Sequence, residues 1–292
     1  MGSMATTAQW VEGARLRTLP NAIAPVLVGT GAALGIGGFQ WWAALCALIV
    51  SLALIVGVNF ANDYSDGVRG TDDERVGPLR LVGSGAASAN TVRAAAFTSF
   101  GVAAIAGLVL VFGTGQWWLL AVGAVCILAA WFYTGGSHPY GYAGFGEPAV
   151  FLFFGLVAVL GTQYVQAGRI SWPAILCAVA VGSFSAGVLI ANNLRDVHSD
   201  PDSGKVTLAV RLGAERTRIA YVIVVVAPLV ISVVLAPWHP FVLLGLLSAV
   251  LVARGVRTVA SGTEGPALIP VLKDTGLAML AWSVLTGVGL AL

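Results

Sequence analysis

Apolar positions in this chain come in long unbroken runs of nearly equal length, separated by short polar breaks. Nine runs can be marked, at 20–37, 41–61, 94–113, 117–134, 147–167, 172–192, 218–236, 240–259 and 275–292. Each is about as long as a helix must be to cross a ~30 Å hydrocarbon core. Lipid offers no partner to a bare peptide group, so a spanning segment must satisfy its own backbone. The runs show no ten-residue alternation, which excludes the strands of a membrane barrel. The predicted fold class is therefore all-α integral membrane, with nine transmembrane helices.

The polar breaks carry the chain's direction. Of fifteen Lys and Arg residues, all but Arg169 fall on the side of the N-terminus when the nine runs are threaded alternately. That bias predicts a cytoplasmic N-terminus and cytoplasmic long loops. The thirteen acidic residues fall on the same face, so the chemistry is expected there. Composition adds agreement rather than news: 58% hydrophobic, 10% charged and a mean hydropathy of +0.90, against about a quarter charged in soluble domains. A net charge of +2 made from mixed signs gives nucleic acid no purchase, and nothing suggests an obligate protein partner. Cys46, Cys126 and Cys177 lie inside apolar runs without metal-ligand spacing and read as inert packing residues.

Residues 1–19 stand apart. Met1-Gly2-Ser3-Met4 reads as an expression scar ahead of a native start at Met4, and the segment Gln9 to Arg17 as an amphipathic piece lying on the headgroups. Residues 20–292 read as a single transmembrane domain.

Two clusters of acids and amides follow directly on apolar runs. The first, 59–73, holds Asn59, Asn62, Asp63, Asp66, Asp72 and Asp73; the second, 192–205, holds Asn192, Asn193, Asp196, Asp200 and Asp202. Asn59-x-x-x-Asp63-x-x-Asp66 and Asn192-x-x-x-Asp196-x-x-x-Asp200 suggest a weak repeat of two four-helix halves with a ninth helix added. If the helices run a turn past the membrane, Asn59, Asp63 and Asp66 share one stripe, and Asn192, Asp196 and Asp200 another. So many carboxylates need a cation. Oxygen-rich sets suit Mg²⁺, which takes one or two carboxylates, waters and a substrate phosphate. The interleaved Arg69, Arg75, Arg80, Arg195, Lys205 and Arg211 are what a polyphosphate needs beyond its metals. A merely solvated charged loop explains the charge but not the repeated spacing. Gly31-x-x-x-Gly35 is read as close helix packing.

Asn62-Asp63-Tyr64-Ser65-Asp66-Gly67-Val68-Arg69-Gly70-Thr71-Asp72 resembles the first aspartate-rich motif of the UbiA superfamily of intramembrane prenyltransferases. Asn192-Asn193-Leu194-Arg195-Asp196 through Asp200, then Gly204-Lys205 and Thr207 to Gly213, resembles the second. Tyr133-Thr134-Gly135-Gly136 through Pro139, Tyr140, Tyr142 and Glu147 is most similar to the menaquinone branch, whose members prenylate 1,4-dihydroxy-2-naphthoate. Arg17-Thr18-Leu19-Pro20 extends the likeness towards the start.

The resemblance implies nine helices around a central cavity, and Mg²⁺ holding a polyprenyl diphosphate. It implies Asn59, Asn62, Asp63 and Asp66, supported by Asp72, around one metal and Asn192, Asp196 and Asp200 around the other. Arg69, Lys205 and Arg211 are the diphosphate candidates. Tyr133 and Tyr140 are candidates to stabilise an allylic cation. Glu147, His138 and Tyr140 are candidates to hold the acceptor, and Glu147 to take a proton from its hydroxyl. Many superfamily members carry a Lys shortly after the equivalent of Tyr133, where this chain has Ser137-His138. The expected setting is the cytoplasmic membrane of a bacterium. Two rivals remain: the same chemistry on another acceptor such as hydroxybenzoate, and a cation-coupled transporter, which acids at helix exits rather than at mid-span disfavour.

Overall fold

The computed structural model describes residues 5–70 and 79–292, all helix and connection without a strand among them. Ten helices follow in chain order: α1 (Thr7–Gly13), α2 (Pro20–Leu34), α3 (Trp41–Arg69), α4 (Ala89–Thr114), α5 (Leu119–Phe132), α6 (Gly146–Ala167), α7 (Trp172–Arg195), α8 (Leu208–Leu235), α9 (Pro240–Ala260) and α10 (Gly265–Ala291). Among the described residues seven, α3, α4 and α6 to α10, are long and apolar enough to cross a membrane, and the protein is a multi-pass membrane protein.

The other two expected spans are shorter helices. α2 has 15 residues and α5 has 14, or about 22 and 21 Å at 1.5 Å per residue. α2 is cut by the turn at Gly35–Gly38, with Gly37 at φ 69°. A turn at Trp117–Trp118 precedes α5, and another follows from Tyr133.

Local chemistry explains several boundaries. A reciprocal capping box between Thr6 and Gln9 starts α1, and the Ser88 hydroxyl caps α4. α3 runs on past the apolar run and stops at Gly70, in the left-handed conformation at φ 74°. It therefore carries Asn59 to Asp66 on helix, as the spacing predicts. The second motif differs. α7 ends at Arg195, and Asp196 is its cap, with φ −98° and ψ 10°. Asp200 hangs in the following turns, its N–H bonded to Asp196 O at 2.8 Å. The expected stripe of Asn192, Asp196 and Asp200 on one helix face is thus replaced by a helix end and a loop. Pro201 disfavours helix at the residue before it, and Gly204, at φ 71°, completes the turn that returns Lys205 N–H to Asp200 O at 2.9 Å.

Small residues let the helices touch. A Cβ on Gly31 of α2 would lie 2.3 Å from the Gly287 carbonyl of α10, and one on Gly155 of α6 would lie 2.5 Å from Gly182 Cα of α7. With water absent, such close approach is a main source of association in lipid. α7 is the central helix, burying Ala174, Cys177, Val181 and Phe184. α6 widens to a π-helix over Phe151–Leu160, a form that recurs at functional sites.

Candidate active site

A cavity of about 680 Å³ runs down the bundle between α3, α4, α5, α6 and α7. On α3 its wall extends from Asp66 down to Ala47, a depth of about 28 Å on helical rise. The depths are apolar, lined by Leu54, Ile55, Leu110, Leu119, Phe154 and Val157. The mouth is densely polar, with Asn59, Asn62, Asp66, Asn192, Asp196 and Asp200.

Asp66 is the hub of that mouth. It is 2% exposed; its Oδ1 accepts the Tyr142 hydroxyl, and Arg80 Nη2 lies 3.4 Å and Lys205 Nζ 4.0 Å from Oδ2. The Lys205 ammonium also stands 4.7 Å from the Tyr142 ring centroid, a favourable cation–π arrangement. Across the mouth, Arg195 grips Asp196 side-on through one guanidinium edge, Nε to Oδ1 at 2.6 Å and Nη2 to Oδ2. Thr207 donates to Asp200 at 3.4 Å. Arg15 and Arg17 reach the same mouth.

Asn59 lines the cavity with Asn62 and Asp66, whereas Asp63 does not. The Asn59 amide donates to Ala14 O and to Thr18 Oγ1, both at 2.9 Å, so it holds the segment bearing Arg15 and Arg17. Asp63 is fully buried, does not line the cavity, and accepts the Leu81 and Val82 N–H groups at 2.8 and 3.0 Å. Asp72 lies outside the described residues.

The connection from Tyr133 to Phe145 is stitched to both motifs. Thr134 Oγ1 donates to Asn62 Oδ1 at 2.7 Å, and the Arg69 guanidinium donates to the carbonyls of Thr134 and Gly136. On the other side Val206 N–H donates to Tyr142 O at 2.8 Å, and Arg211 to Ala143 O at 2.9 Å. Arg69 and Arg211 do not line the cavity; Arg69 donates to this connection through two nitrogens and Arg211 through one. Among the described residues the cations that line the cavity are Arg15, Arg17, Arg80, Arg195 and Lys205. Sequence spacing gave no sign of Arg15, Arg17 and Arg80 as a group, because they arrive from two separate segments.

Tyr133 and Tyr140 line the cavity with rings 5.5 Å apart and edge to face. Tyr140 donates to Ala129 O at 2.8 Å, and burial pushes its phenol up to about 12. It stays protonated at neutral pH and offers its ring, not a charge. Glu147 is buried and not among the lining residues; it accepts at 2.8 Å from Nδ2 of Asn193, which does line the cavity. His138 is exposed, 3.0 Å from the Ser137 hydroxyl, and is not among the lining residues.

Among the described residues no three of His, Cys, Asp and Glu converge as a closed metal cage. The mouth instead offers three separate carboxylates, Asp66, Asp196 and Asp200, flanked by amides. That open set fits Mg²⁺, which keeps waters and completes its shell with substrate phosphate.

The model of the UbiA prenyltransferase family matches residues 22–268. A 1,4-dihydroxy-2-naphthoate octaprenyltransferase of Mycobacterium tuberculosis (strain ATCC 25618 / H37Rv) is 57% identical over 288 residues, 99% of this chain and 98% of that protein. Among solved structures, the apo form of a UbiA homolog from Aeropyrum pernix K1 superposes with a TM-score of 0.68 at 16% identity, covering 92% of this chain and 96% of that one. A UbiA homolog from Archaeoglobus fulgidus, bound to DMAPP and Mg²⁺, gives a TM-score of 0.51 at 15% identity, covering 93% and 98%.

Proposed function

The chain belongs to the UbiA prenyltransferase family, and from that membership we infer its reaction. It is an enzyme that transfers a polyprenyl group from polyprenyl diphosphate to 1,4-dihydroxy-2-naphthoate, releasing diphosphate and CO₂ and giving demethylmenaquinol for menaquinone biosynthesis. The observation that carries this is the near-full-length similarity to the mycobacterial naphthoate octaprenyltransferase. The cavity agrees in chemistry: a charged mouth for a diphosphate over apolar depths for a prenyl tail.

The chain is proposed to cross the membrane of a bacterium nine times, α2 and α5 completing the set, with the mouth facing the cytoplasm. The support is the charge bias that leaves only Arg169 on the far side. Mg²⁺ is the proposed cofactor, supported by the open carboxylate set and by the fold neighbour bound to DMAPP and Mg²⁺. When bound, it neutralises charge on the departing diphosphate.

The protein's own groups do the rest. Asp66, Asp196 and Asp200 are the proposed metal-holding carboxylates, with Asn62 and Asn192 beside them. Lys205 is the proposed direct contact to the diphosphate, supported by its place beside Asp66 in the cavity wall. Arg69 and Arg211 are proposed to hold the 133–145 connection rather than the diphosphate, because neither lines the cavity and each donates to a carbonyl of that connection. As the allylic C–O bond breaks, the apolar walls keep water from the carbocation, and Tyr133 and Tyr140 present aromatic rings to it. The acceptor's electron-rich ring carbon attacks, and the carboxylate on that carbon leaves as CO₂. Glu147 is the proposed group that holds or deprotonates an acceptor hydroxyl.

The test is turnover of purified protein with Mg²⁺, a prenyl diphosphate and dihydroxynaphthoate, with hydroxybenzoate in parallel, followed by mass spectrometry. A decarboxylated prenylnaphthoquinone is expected. Product from hydroxybenzoate alone would overturn the acceptor assignment.

A further inference from the structure

α3 presents two neighbouring faces at the mouth. At about 100° per residue, Asn59, Asn62 and Asp66 cluster on one side and look into the cavity. Phe60, Asp63 and Gly67 fall on the adjacent side, and that side is covered by the turn at 79–82. Both Asp63 carboxylate oxygens are engaged by this turn, at 2.8 Å from Leu81 N and 3.0 Å from Val82 N. Glu12 Oε1 takes the Leu79 N–H at 3.1 Å. Leu81 is fully buried. A Cβ on Gly13 would meet Leu81 Cδ1 at 2.7 Å, and one on Gly67 would meet Val82 Cγ1 at 2.5 Å. The turn is thus pressed onto two glycines and pinned by two carboxylates. Between Leu79 and Leu81 it carries Arg80, which lines the cavity mouth and faces Asp66 at 3.4 Å.

We propose that Asp63 is a positioning residue: by pinning the 79–82 turn to α3 it sets the Arg80 guanidinium at the cavity mouth, where Arg80 takes the diphosphate of the prenyl donor. This rests on the prenyltransferase reading. It separates Asp63 from the metal-holding set, since turning its carboxylate to a cation would strip two backbone N–H groups of their partners, one of them on a fully buried residue. A guanidinium suits the task, because its fixed fork matches phosphate oxygens.

The experiment uses the full chain in detergent with Arg80→Gln, Asp63→Asn, the double variant and Gly67→Ala. Gly67→Ala touches no carboxylate and strengthens helix propensity, but it pushes Val82 and so disturbs the turn alone. Three quantities are measured: KM and kcat for farnesyl diphosphate with dihydroxynaphthoate, affinity for inorganic diphosphate with Mg²⁺ by calorimetry, and Mn²⁺ binding by electron paramagnetic resonance.

Arg80→Gln and Asp63→Asn are each expected to raise KM and weaken diphosphate binding by roughly tenfold or more, the scale of a lost charge-assisted contact, with kcat little changed. The double variant is expected to be no worse than Arg80→Gln, because residues acting through one contact are not additive. Gly67→Ala is expected to move in the same direction, and Mn²⁺ binding is expected to survive in Asp63→Asn. Loss of Mn²⁺ binding in Asp63→Asn, multiplied effects in the double variant, or wild-type behaviour of Gly67→Ala would each overturn the proposal. Failure of wild-type turnover would instead overturn the assigned reaction, and the two binding measurements would still decide the role of Asp63.

Discussion

The Asn193 side-chain amide donates to Glu147 Oε1 at 2.8 Å, joining the last turn of α7 to the first turn of α6. The other carboxylate oxygen, Oε2, is buried without a hydrogen-bond partner among the described residues. A buried acceptor left open is costly, and an acceptor hydroxyl that reached it past Asn193, which lines the cavity while Glu147 itself does not, would satisfy it. Glu147→Gln is therefore expected to cut kcat/KM for the naphthoate by at least about tenfold, while the KM for prenyl diphosphate holds. Thermal stability in detergent should be unchanged or higher, since an amide is cheaper to bury than a charge. Acceptor and donor titrations, beside a melting curve, check both halves.

Asp66 gathers Tyr142, Arg80 and Lys205 around one carboxylate. Asp66→Asn keeps the shape but removes the charge. Turnover is expected to fall by roughly a hundredfold or more, the scale of losing one preorganised electrostatic group. Excess Mg²⁺ should recover only part of it, as a metal titration of the variant's rate would show.

Chelation should behave more simply. EDTA is expected to abolish turnover of the wild type and added Mg²⁺ to restore it, with the helical circular dichroism spectrum the same throughout. A rate that resists EDTA would remove the metal from the reaction.

The Arg69 guanidinium serves two carbonyls of the 133–145 connection. Lysine cannot reproduce that fork. Arg69→Lys is expected to raise the naphthoate KM by several-fold to about tenfold, on the scale of one or two lost hydrogen bonds to a charged group. The affinity for inorganic diphosphate should be unaffected, which separates a clamp from a phosphate ligand.

Gly31 lies where α2 and α10 meet backbone to backbone. A methyl group there faces a carbonyl that cannot swing aside. Gly31→Ala is expected to destabilise the bundle by about 1–3 kcal/mol, read as a lower denaturation midpoint in detergent, with the substrate KM values of the surviving fraction unchanged.

Much of this was legible in the residues because lipid leaves few choices. Apolar runs had to be helices, and the acids had to gather at their ends. The face each acid takes was harder to read. Asp63 and Asp66 are three residues apart and count as one stripe by spacing, yet the turn at 79–82 covers one and leaves the other in the cavity. Which acid it covers depends on how Leu81 and Val82 seat against Gly13 and Gly67, a tertiary fit with no periodic signature. The second motif misled for a local reason. Asn192, Asp196 and Asp200 carry helical spacing, but the helix stops at Arg195 ahead of Pro201 and Gly204. Charge and neighbourhood alone make Arg69 and Arg211 candidate phosphate ligands; that they also donate to carbonyls of the 133–145 connection depends on the path of that connection, which spacing does not reveal.

Tyr142 gives its hydroxyl to the first motif and its carbonyl to the segment after the second. The stretch between α5 and α6 is therefore no interchangeable cassette. Transplanting it from a relative with a different acceptor would fail unless its anchorages at Asn62, Asp66, Arg69 and Arg211 came with it. Retargeting this scaffold to new aromatic rings is better attempted one cavity-facing side chain at a time.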